Sequence, residues 1–477
     1  MTSIPLAVDL DGTLILTDTL HESALRALRS HPLQALRIPF WLARGKAQLK
    51  QQLAALTDFD AASLPYNLPL IDWLRTQRAQ GRRLVLCTAS DQSMAEAVAA
   101  HLGLFDEVMA SDGVHNLSAR NKAAALESRY GKQGFDYAGN SDDDVHVWRS
   151  ARHAIVVNAS SAVERQARQC CDVEQVFASP VPSAMQLPRM LRLHQWMKNL
   201  LLFIAPLAAH QIPDAAGGTA MLLAFLSFSL CASAVYVAND LFDLDSDRHH
   251  PRKRLRPFAS GSVPVLKGVL LVPLLLANAF FFALPVGPVF VGWLLFYFIL
   301  TCAYSWGLKR LMLIDCLVLA MLYTVRIIAG AGAAGIPLSF WLLAFSVFLF
   351  LSLAFVKRFA ELGVQADAGR EKAHGRGYLT SDAPLVQSLG ITSGYASVVV
   401  LALYLNSDAV VRLYASPVIM WCVVPVMLFW ISWIWMKAHR GQMHDDPLLF
   451  ALRDRASLLS GVVFALVLAA ASRGLTW

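Results

Sequence analysis

Hydrophobic positions are grouped differently on the two sides of residue 190. Before it, apolar runs are short and bounded by charge: 4–8 (IPLAV), 83–88 (RLVLCT) and the run that ends at Tyr137-Ala-Gly139. Runs of this kind read as buried parallel strands, and the stretches between them carry helical periodicity. The alternation predicts an α/β, Rossmann-like domain over residues 1–180. An insert at about 18–68 has helical periodicity and scattered cations (Arg26, Arg29, Arg37, Arg44, Lys46, Lys50), and its position fits a small helical cap. Within it, 38–42 (IPFWL) is apolar enough either to touch lipid or to pack inside the cap. The stretch 179–183 (SPVPS) reads as a linker. Beyond about 196 the apolar runs lengthen to the roughly 20 residues that span a bilayer. They predict nine spans at about 196–213, 218–238, 263–284, 287–306, 311–331, 339–356, 385–405, 415–436 and 456–472. Residues 186–477 are thus expected to form an all-α polytopic membrane bundle.

The loops orient this bundle. Connections after the first, third and fifth spans hold no Lys or Arg, and the one after the seventh holds only Arg412. Those after the second, fourth, sixth and eighth hold Arg252, Lys253, Arg254, Arg256, Lys309, Arg310, Lys357, Arg358, Arg370, Lys372, Arg376, Lys437, Arg440, Arg453 and Arg455. Cytoplasmic loops collect such cations, so the even loops and the amino-terminal domain are expected in the cytoplasm of a bacterial inner membrane protein. Composition agrees: 56% of the 477 residues are hydrophobic and 16% charged, too apolar for an ordinary soluble chain. The net charge of +7 then reflects those loops, with anionic lipid or phosphate ligands, and does not imply nucleic acid. The 7 cysteines include no CxxC pair and read as reduced structural thiols. The apolar start is too short for a cleavable signal peptide, meeting Asp9 at once.

Candidate chemistry lies at strand ends in the first half. Asp9 and Asp11, two apart and followed by Gly12, suit phosphoryl transfer, one as nucleophile and one as proton shuttle. Thr88 ends the second strand with a hydroxyl for a phosphoryl group, Lys122 offers a neutralising charge, and 137–144 (YAGNSDDD) is rich in acids for a metal. DLDGTL with this ordered set resembles the haloacid dehalogenase superfamily over nearly all of residues 1–160. The resemblance implies Asp9 as nucleophile, Asp11 as acid/base, Thr88 and Lys122 as phosphate holders, and Asp9, Asp11, Asn140 and Asp144 around Mg2+. Many members have Asp where this chain has Asn140; a regulatory, inactive domain is the alternative that this departure leaves open.

In the second half the outstanding stretch is 239–261, NDLFDLDSDRHHPRKRLRPFASG. Asp240, Asp243 and Asp247 are spaced three and four apart, which on one helix would stack them on one face. Such a face calls for a cation, and Mg2+ prefers carboxylates with phosphate oxygens. The block that follows (Arg252, Lys253, Arg256) suits phosphate. Further polar residues punctuate the spans: Lys198 and Asn199 in HQWMKN, Tyr304 and Lys309 in YSWGLK, Tyr323 and Arg326 within the fifth span, Lys357, Arg358 and Glu361 in KRFAEL, and His444, Asp445, Asp446, Arg453, Asp454 and Arg455 before the ninth. An intramembrane arginine is costly and usually functional. Together these suggest a polar chamber. The GxGxxG of 330–335 ends a membrane helix with no strand before it, so close helix packing is expected there and no nucleotide.

NDxxDxxxD followed by HPxKxxRPxAxG, with HQWxKN ahead and YSxxLK behind, resembles the UbiA-type intramembrane prenyltransferase superfamily over roughly residues 186–477. Ordinary members carry a second DxxxD motif; this chain has Asp315 but Leu319. That departure, with Arg326, Lys357 and Arg358 nearby, is similar to the decaprenyl-phosphate phosphoribosyltransferase branch. The branch implies a polyprenyl phosphate acceptor and a phosphoribosyl pyrophosphate donor, with Asp240 and Asp243 catalytic. It implies metal at Asp240, Asp243 and Asp247, and substrate on Lys198, Asn199, Asn239, Arg252, Lys253, Arg256, Tyr304, Lys309, Tyr323, Arg326, Lys357 and Arg358. The expected activity is phosphoribosyl transfer followed by removal of the 5-phosphate. Two alternatives stand beside it: prenyl transfer from a diphosphate to an aromatic acceptor, and a lipid-phosphate binding or transport protein.

Overall fold

The computed structural model describes residues 4–178, 183–210, 214–371, 376–407, 410, 413–443 and 446–473. Lys372, Arg412, His444, Asp445 and most of the 179–183 stretch lie outside the described residues. The chain forms two compact units, one of Met1–Leu191 with Tyr236–Pro273 and one of Arg192–Val235 with Leu274–Trp477. The loop around the aspartates therefore folds with the amino-terminal domain, an arrangement that no boundary drawn along the sequence near 180 conveys.

In the first unit six strands form one parallel sheet: β1 (Leu6–Val8), β2 (Leu84–Asp91), β3 (Glu107–Ser111), β4 (Asp136–Gly139), β5 (His153–Val157) and β6 (Asp172–Phe177). Their order is β3-β2-β1-β4-β5-β6, with Val8 in register with both Leu86 and Ala138. Alternate strand residues serve opposite faces. Leu6 and Val8 join one buried layer with Leu70, Leu74 and Ile155, and Ala7 joins another with Leu126, Phe135 and Trp148. The order reverses between β1 and β4, and a ligand crevice opens outside the strand ends at such a point. Asp9 follows β1 there, and Asn140 follows β4.

The insert is the expected helical cap: α1 (Thr19–Ser30), α2 (Pro32–Ala35), α3 (Ile38–Ala43) and α4 (Lys46–Leu56). Asp18 caps α1 by accepting from the His21 N–H. Ala27, Trp41, Leu49 and Leu53 form the cap core, with Leu20, Ala24 and Ile38 against it. The apolar 38–42 stretch is therefore divided. Ile38 and Trp41 pack inward, while Phe40 and Leu42 are exposed.

Eight helices among the described residues are long and apolar enough to cross a membrane: Ala215–Phe242, Val265–Val286, Pro288–Trp306, Ile314–Ala334, Phe340–Asp367, Thr380–Leu405, Pro417–His439 and Arg455–Arg473. They correspond to the last eight of the nine expected spans. The stretch 196–213 is not among them. It consists of 3-10 turns over Leu193–Phe203 and a short helix, Ile204–Ala208. Its entry residue Arg192 has φ 51°, and Pro206 removes a backbone donor. In the second unit Ile314–Ala334 is the central helix, 67% buried, whereas Arg455–Arg473 is 17% buried. The expected close packing at the glycine run is present: a Cβ on Gly330 would lie 1.9 Å from the Leu202 carbonyl oxygen.

Candidate active sites

At the crevice of the sheet, Lys122 Nζ lies 2.8 Å from Asp9 Oδ1 and 3.6 Å from Asp144 Oδ1, and donates to the Tyr137 hydroxyl at 2.7 Å. All three charged groups are buried. Asp144 Oδ1 accepts from Tyr137 Oη, and Oδ2 accepts from Asn140 N, Ser141 N and Ser141 Oγ. Asn140 folds over the DLDGT turn: a Cβ on Gly12, whose φ is 74°, would meet the Asn140 amide at 2.0 Å. Asp11 turns away from Lys122. Its Oδ1 accepts from Thr19 N at 2.8 Å, and its Oδ2 from Ser90 Oγ and Thr19 Oγ1. Thr88 is fully buried, its hydroxyl accepting from Ser90 N.

Burial pushes the Asp9 carboxyl up to about 6 against the pull of Lys122. Burial, with Asp18 beside it, pushes Asp11 up to about 7, against its hydrogen bonds from Ser90 and Thr19. A carboxyl that holds its proton near neutrality suits proton shuttling. The donor set fits Mg2+: Asp9, the Asn140 side-chain oxygen and Asp144 Oδ1 would hold it, and buried carboxylates stay ionised beside a cation. Asp11, expected as a fourth ligand, has both oxygens committed to Thr19 and Ser90. Among the described residues the one cluster of three acids or histidines within ligand reach is Asp136, His153 and Glu174, elsewhere on the domain. Arg82 and Arg152 already neutralise Asp136 there.

The aspartate stretch departs from the expected single helical face. Helix Ala215–Phe242 stops before Asp243, which begins the next helix, Leu244–His249. The break divides the three carboxylates. Asp240 and Asp247, both buried, converge on Arg256 Nη1 at 3.0 and 2.5 Å. Asp243 instead lies 3.5 Å from Arg29 Nη2 of α1. In the fold, then, arginines supply the neutralising charge. Burial holds the Asp247 carboxyl above its usual range even beside Arg256. Asp240 and Asp247 form a pair that would take a divalent cation where Arg256 Nη1 stands, while Asp243 faces Arg29 instead. Asn239 contributes its carbonyl to the Asp243 N–H, and Arg252 and Lys253 are exposed.

The second unit gathers three polar groups. Arg326, 4% exposed in the central helix, donates to Asn199 Oδ1 and to the Tyr297 hydroxyl, both at 2.9 Å, and packs on the rings of Tyr297, Tyr323 and Phe228. Among the described residues no carboxylate pairs with it. Asp446 accepts from Lys198 Nζ at 2.7 Å and from the Tyr323 hydroxyl, with Lys357 Nζ at 3.8 Å. Burial pushes its carboxyl up, but Lys198 and Lys357 hold it below the usual range. Asp315 and Arg358 are both fully buried, 2.5 Å apart. Asp315 also accepts from the Tyr378 hydroxyl and faces Arg376, which reaches the Tyr304 hydroxyl. Lys309 sits half-buried on the turn Leu308–Arg310.

Arg358, expected on substrate phosphate, is fully enclosed in this fold. It lies within ion-pair distance of Asp315 and Glu361, while its Nε makes no hydrogen bond among the described residues. Sequence reasoning left Asp446, Tyr297, Arg376 and Tyr378 out of the candidate site residues. Asp446 and Arg376 were visible as loop charge, but Tyr297 lies inside an apolar run and gives no signal.

The UbiA prenyltransferase family model matches residues 200–459, and a haloacid dehalogenase-like hydrolase model matches residues 6–149. Protein y4nM of Sinorhizobium fredii is 38% identical over 466 residues, covering 97% of this chain and 90% of that protein. Nodulation protein NoeC of Azorhizobium caulinodans is 38% identical over 268 residues, 56% of this chain and 87% of its own length. Decaprenyl-phosphate phosphoribosyltransferase of Mycobacterium tuberculosis is 36% identical over 185 residues, 38% of this chain and 61% of that enzyme.

Proposed function

We propose, from the premise that this chain belongs to the UbiA prenyltransferase family and carries a haloacid dehalogenase-like domain, that it is a bifunctional enzyme. It transfers 5-phosphoribose from phosphoribosyl pyrophosphate to a polyprenyl phosphate and then removes the 5-phosphate. The observation that carries the reading is a cluster of cations around one buried ring. Lys198 and Arg326 both pack on the Tyr323 ring, and Lys198 and Lys357 meet at Asp446, the carboxylate that stands with them among the described residues. Buried positive charge of this kind suits phosphate groups. The remaining acid of a second aspartate motif, Asp315, is closed into ion pairs, which speaks against a prenyl diphosphate held by two acidic motifs.

In the first step a lipid phosphate oxygen bonds to ribose C1 as the C1–O bond to pyrophosphate breaks. Asp240, Asp243 and Asp247 are the groups that would hold Mg2+, which supplies neutralisation of the leaving pyrophosphate. Arg252, Lys253, Arg256 and Lys309 are assigned to donor phosphates, and Lys198, Lys357 and Arg326 to the lipid phosphate. Asn199 and Tyr323 orient these cations, and Asn239 and Tyr304 are assigned to substrate. In the second step Asp9 attacks the 5-phosphorus while Asp11 protonates the departing ribose oxygen. Asp11 then takes a proton from the water that hydrolyses the aspartyl phosphate. Thr88 and Lys122 hold the phosphoryl oxygens.

Orientation follows by parity. Arg26 and Asp245 are paired, so α1 and the loop after Phe242 share one side of the membrane. Helix Ala215–Phe242 crosses once, so the chain must cross once more between 191 and 215, which supports a ninth, irregular crossing through 193–208. The basic loops assign that side to the cytoplasm. The test is incubation of purified protein with polyprenyl phosphate, phosphoribosyl pyrophosphate and Mg2+, with lipids resolved by mass. Polyprenyl-phosphoryl-ribose is the expected product. A prenylated aromatic acid formed from a polyprenyl diphosphate, with the ribose donor ignored, would replace this reading.

A further inference from the structure

Helix α1 reaches two centres at once. Its first residue, Thr19, holds both oxygens of Asp11, through N at 2.8 Å and Oγ1 at 3.2 Å. Its residues 22, 26 and 29 lie four and three apart, on one face. That face is ionic and meets the aspartate loop. Glu22, 2% exposed, accepts from Arg248 Nη1 at 2.9 Å and from Thr17 Oγ1 at 2.5 Å. Arg26 binds Asp245 through Nε at 3.0 Å and Nη2 at 2.6 Å. Arg29 meets Asp243 at 3.5 Å and donates to the Phe242 carbonyl. The opposite face of α1 gives Leu20, Ala24 and Ala27 to the cap core. A second contact has the same ends: Gly261, φ 71°, packs so tightly on Leu16 that a Cβ there would lie 2.7 Å from the Leu16 carbonyl oxygen. The Glu22–Arg248 pair is buried on both sides, and a buried pair of this kind adds little net stability compared with apolar packing but can fix one arrangement of its partners.

We propose that α1 is a positioning element shared by both active sites, with Glu22, Arg26 and Arg248 as positioning residues. Its ionic face fixes the position of the 243–249 turn, and with it Asp243 and Asp247. Its first turn holds Asp11 in place for proton transfer. The amino-terminal domain thus serves the transfer reaction structurally, whatever its own turnover. The inference rests on the reading of the two sites given above.

The test uses Arg26 and Asp245, neither of which is assigned to catalysis or binding. Full-length Arg26→Asp, Asp245→Arg and the double exchange are compared with wild type in two ways. The first is hydrogen–deuterium exchange of residues 243–249 in detergent; the second is the Mg2+ concentration for half-maximal lipid phosphoribosylation. Each single variant is expected to speed exchange over 243–249 and to raise the Mg2+ requirement by about tenfold, within the range of coupling between contacting residues. The double exchange restores the 26–245 pair but loses the Arg26–Glu22 contact at 3.2 Å, and is expected to bring both readouts closer to wild type than either single variant. Exchange unchanged in the single variants, or a double variant no better than the singles, overturns the proposal. If wild-type protein transfers no phosphoribose, the functional reading fails, while the exchange comparison still decides whether α1 positions the loop.

Discussion

Replacing Arg358 with Met separates the two readings of that residue. The substitution removes a guanidinium that is 0% exposed and 2.5 Å from the equally buried Asp315. Breaking a buried pair from one side costs about 3–5 kcal/mol, because the remaining charge is left uncompensated. Asp315 would still have the Tyr378 hydroxyl at 2.7 Å and Arg376 at 3.5 Å, so the lower end, about 3 kcal/mol, applies. At about 2–4 °C per kcal/mol for a domain of this size, the bundle should unfold about 6–12 °C lower. Removing both charges as Asp315→Leu with Arg358→Met leaves no buried unpaired charge, since Arg376 keeps Glu361 at 3.3 Å and the Tyr378 hydroxyl keeps Cys316 Sγ at 3.7 Å. That double variant should regain most of the loss. The assay is thermal unfolding in detergent, read alongside the KM for the ribose donor at a permissive temperature. An Arg358→Met protein that unfolds like wild type but has a greatly raised donor KM would refute the structural role and make Arg358 a substrate ligand.

Other substitutions bear on the remaining parts. Asp240→Asn should lower lipid phosphoribosylation about a hundredfold or more, the scale of losing one strong electrostatic stabiliser, while hydrolysis of a soluble phosphate ester persists. Asp9→Asn should leave total lipid glycosylation nearly unchanged and accumulate the 5-phosphorylated lipid, visible by mass. An identical product profile in wild type and Asp9→Asn would mark the domain as regulatory. Gly330→Ala should destabilise the bundle by about 1–3 kcal/mol, because its Cβ meets the Leu202 backbone and no side chain can yield, and a lowered unfolding temperature is the check.

The features legible in the sequence were those with a local signature. Short apolar runs gave the sheet, and DLDGTL placed Asp9 at a strand end because parallel strands deliver loops to one edge. Long apolar runs gave eight spanning helices. The segment 193–208 escaped because an apolar run says nothing about 3-10 winding, and Pro206 was outweighed by its neighbours. The aspartate face was misjudged for a related reason. Spacing implies stacking only if the helix continues, and it breaks between Phe242 and Asp243. Ion pairs between distant residues were out of reach altogether. Glu22 and Arg248 are 226 residues apart, and neither pattern nor spacing ties them. The Arg358–Asp315 pair was equally out of reach, because the two residues lie on different helices.

The central claim is tested most directly by following two labels through one reaction. Phosphoribosyl pyrophosphate labelled in the ribose carbons and, separately, in the 5-phosphate is given to wild-type protein with polyprenyl phosphate and Mg2+. The account predicts ribose label in the lipid phase and 5-phosphate label released to water as inorganic phosphate, with pyrophosphate formed in proportion to lipid product. Ribose label that never enters the lipid phase would contradict it.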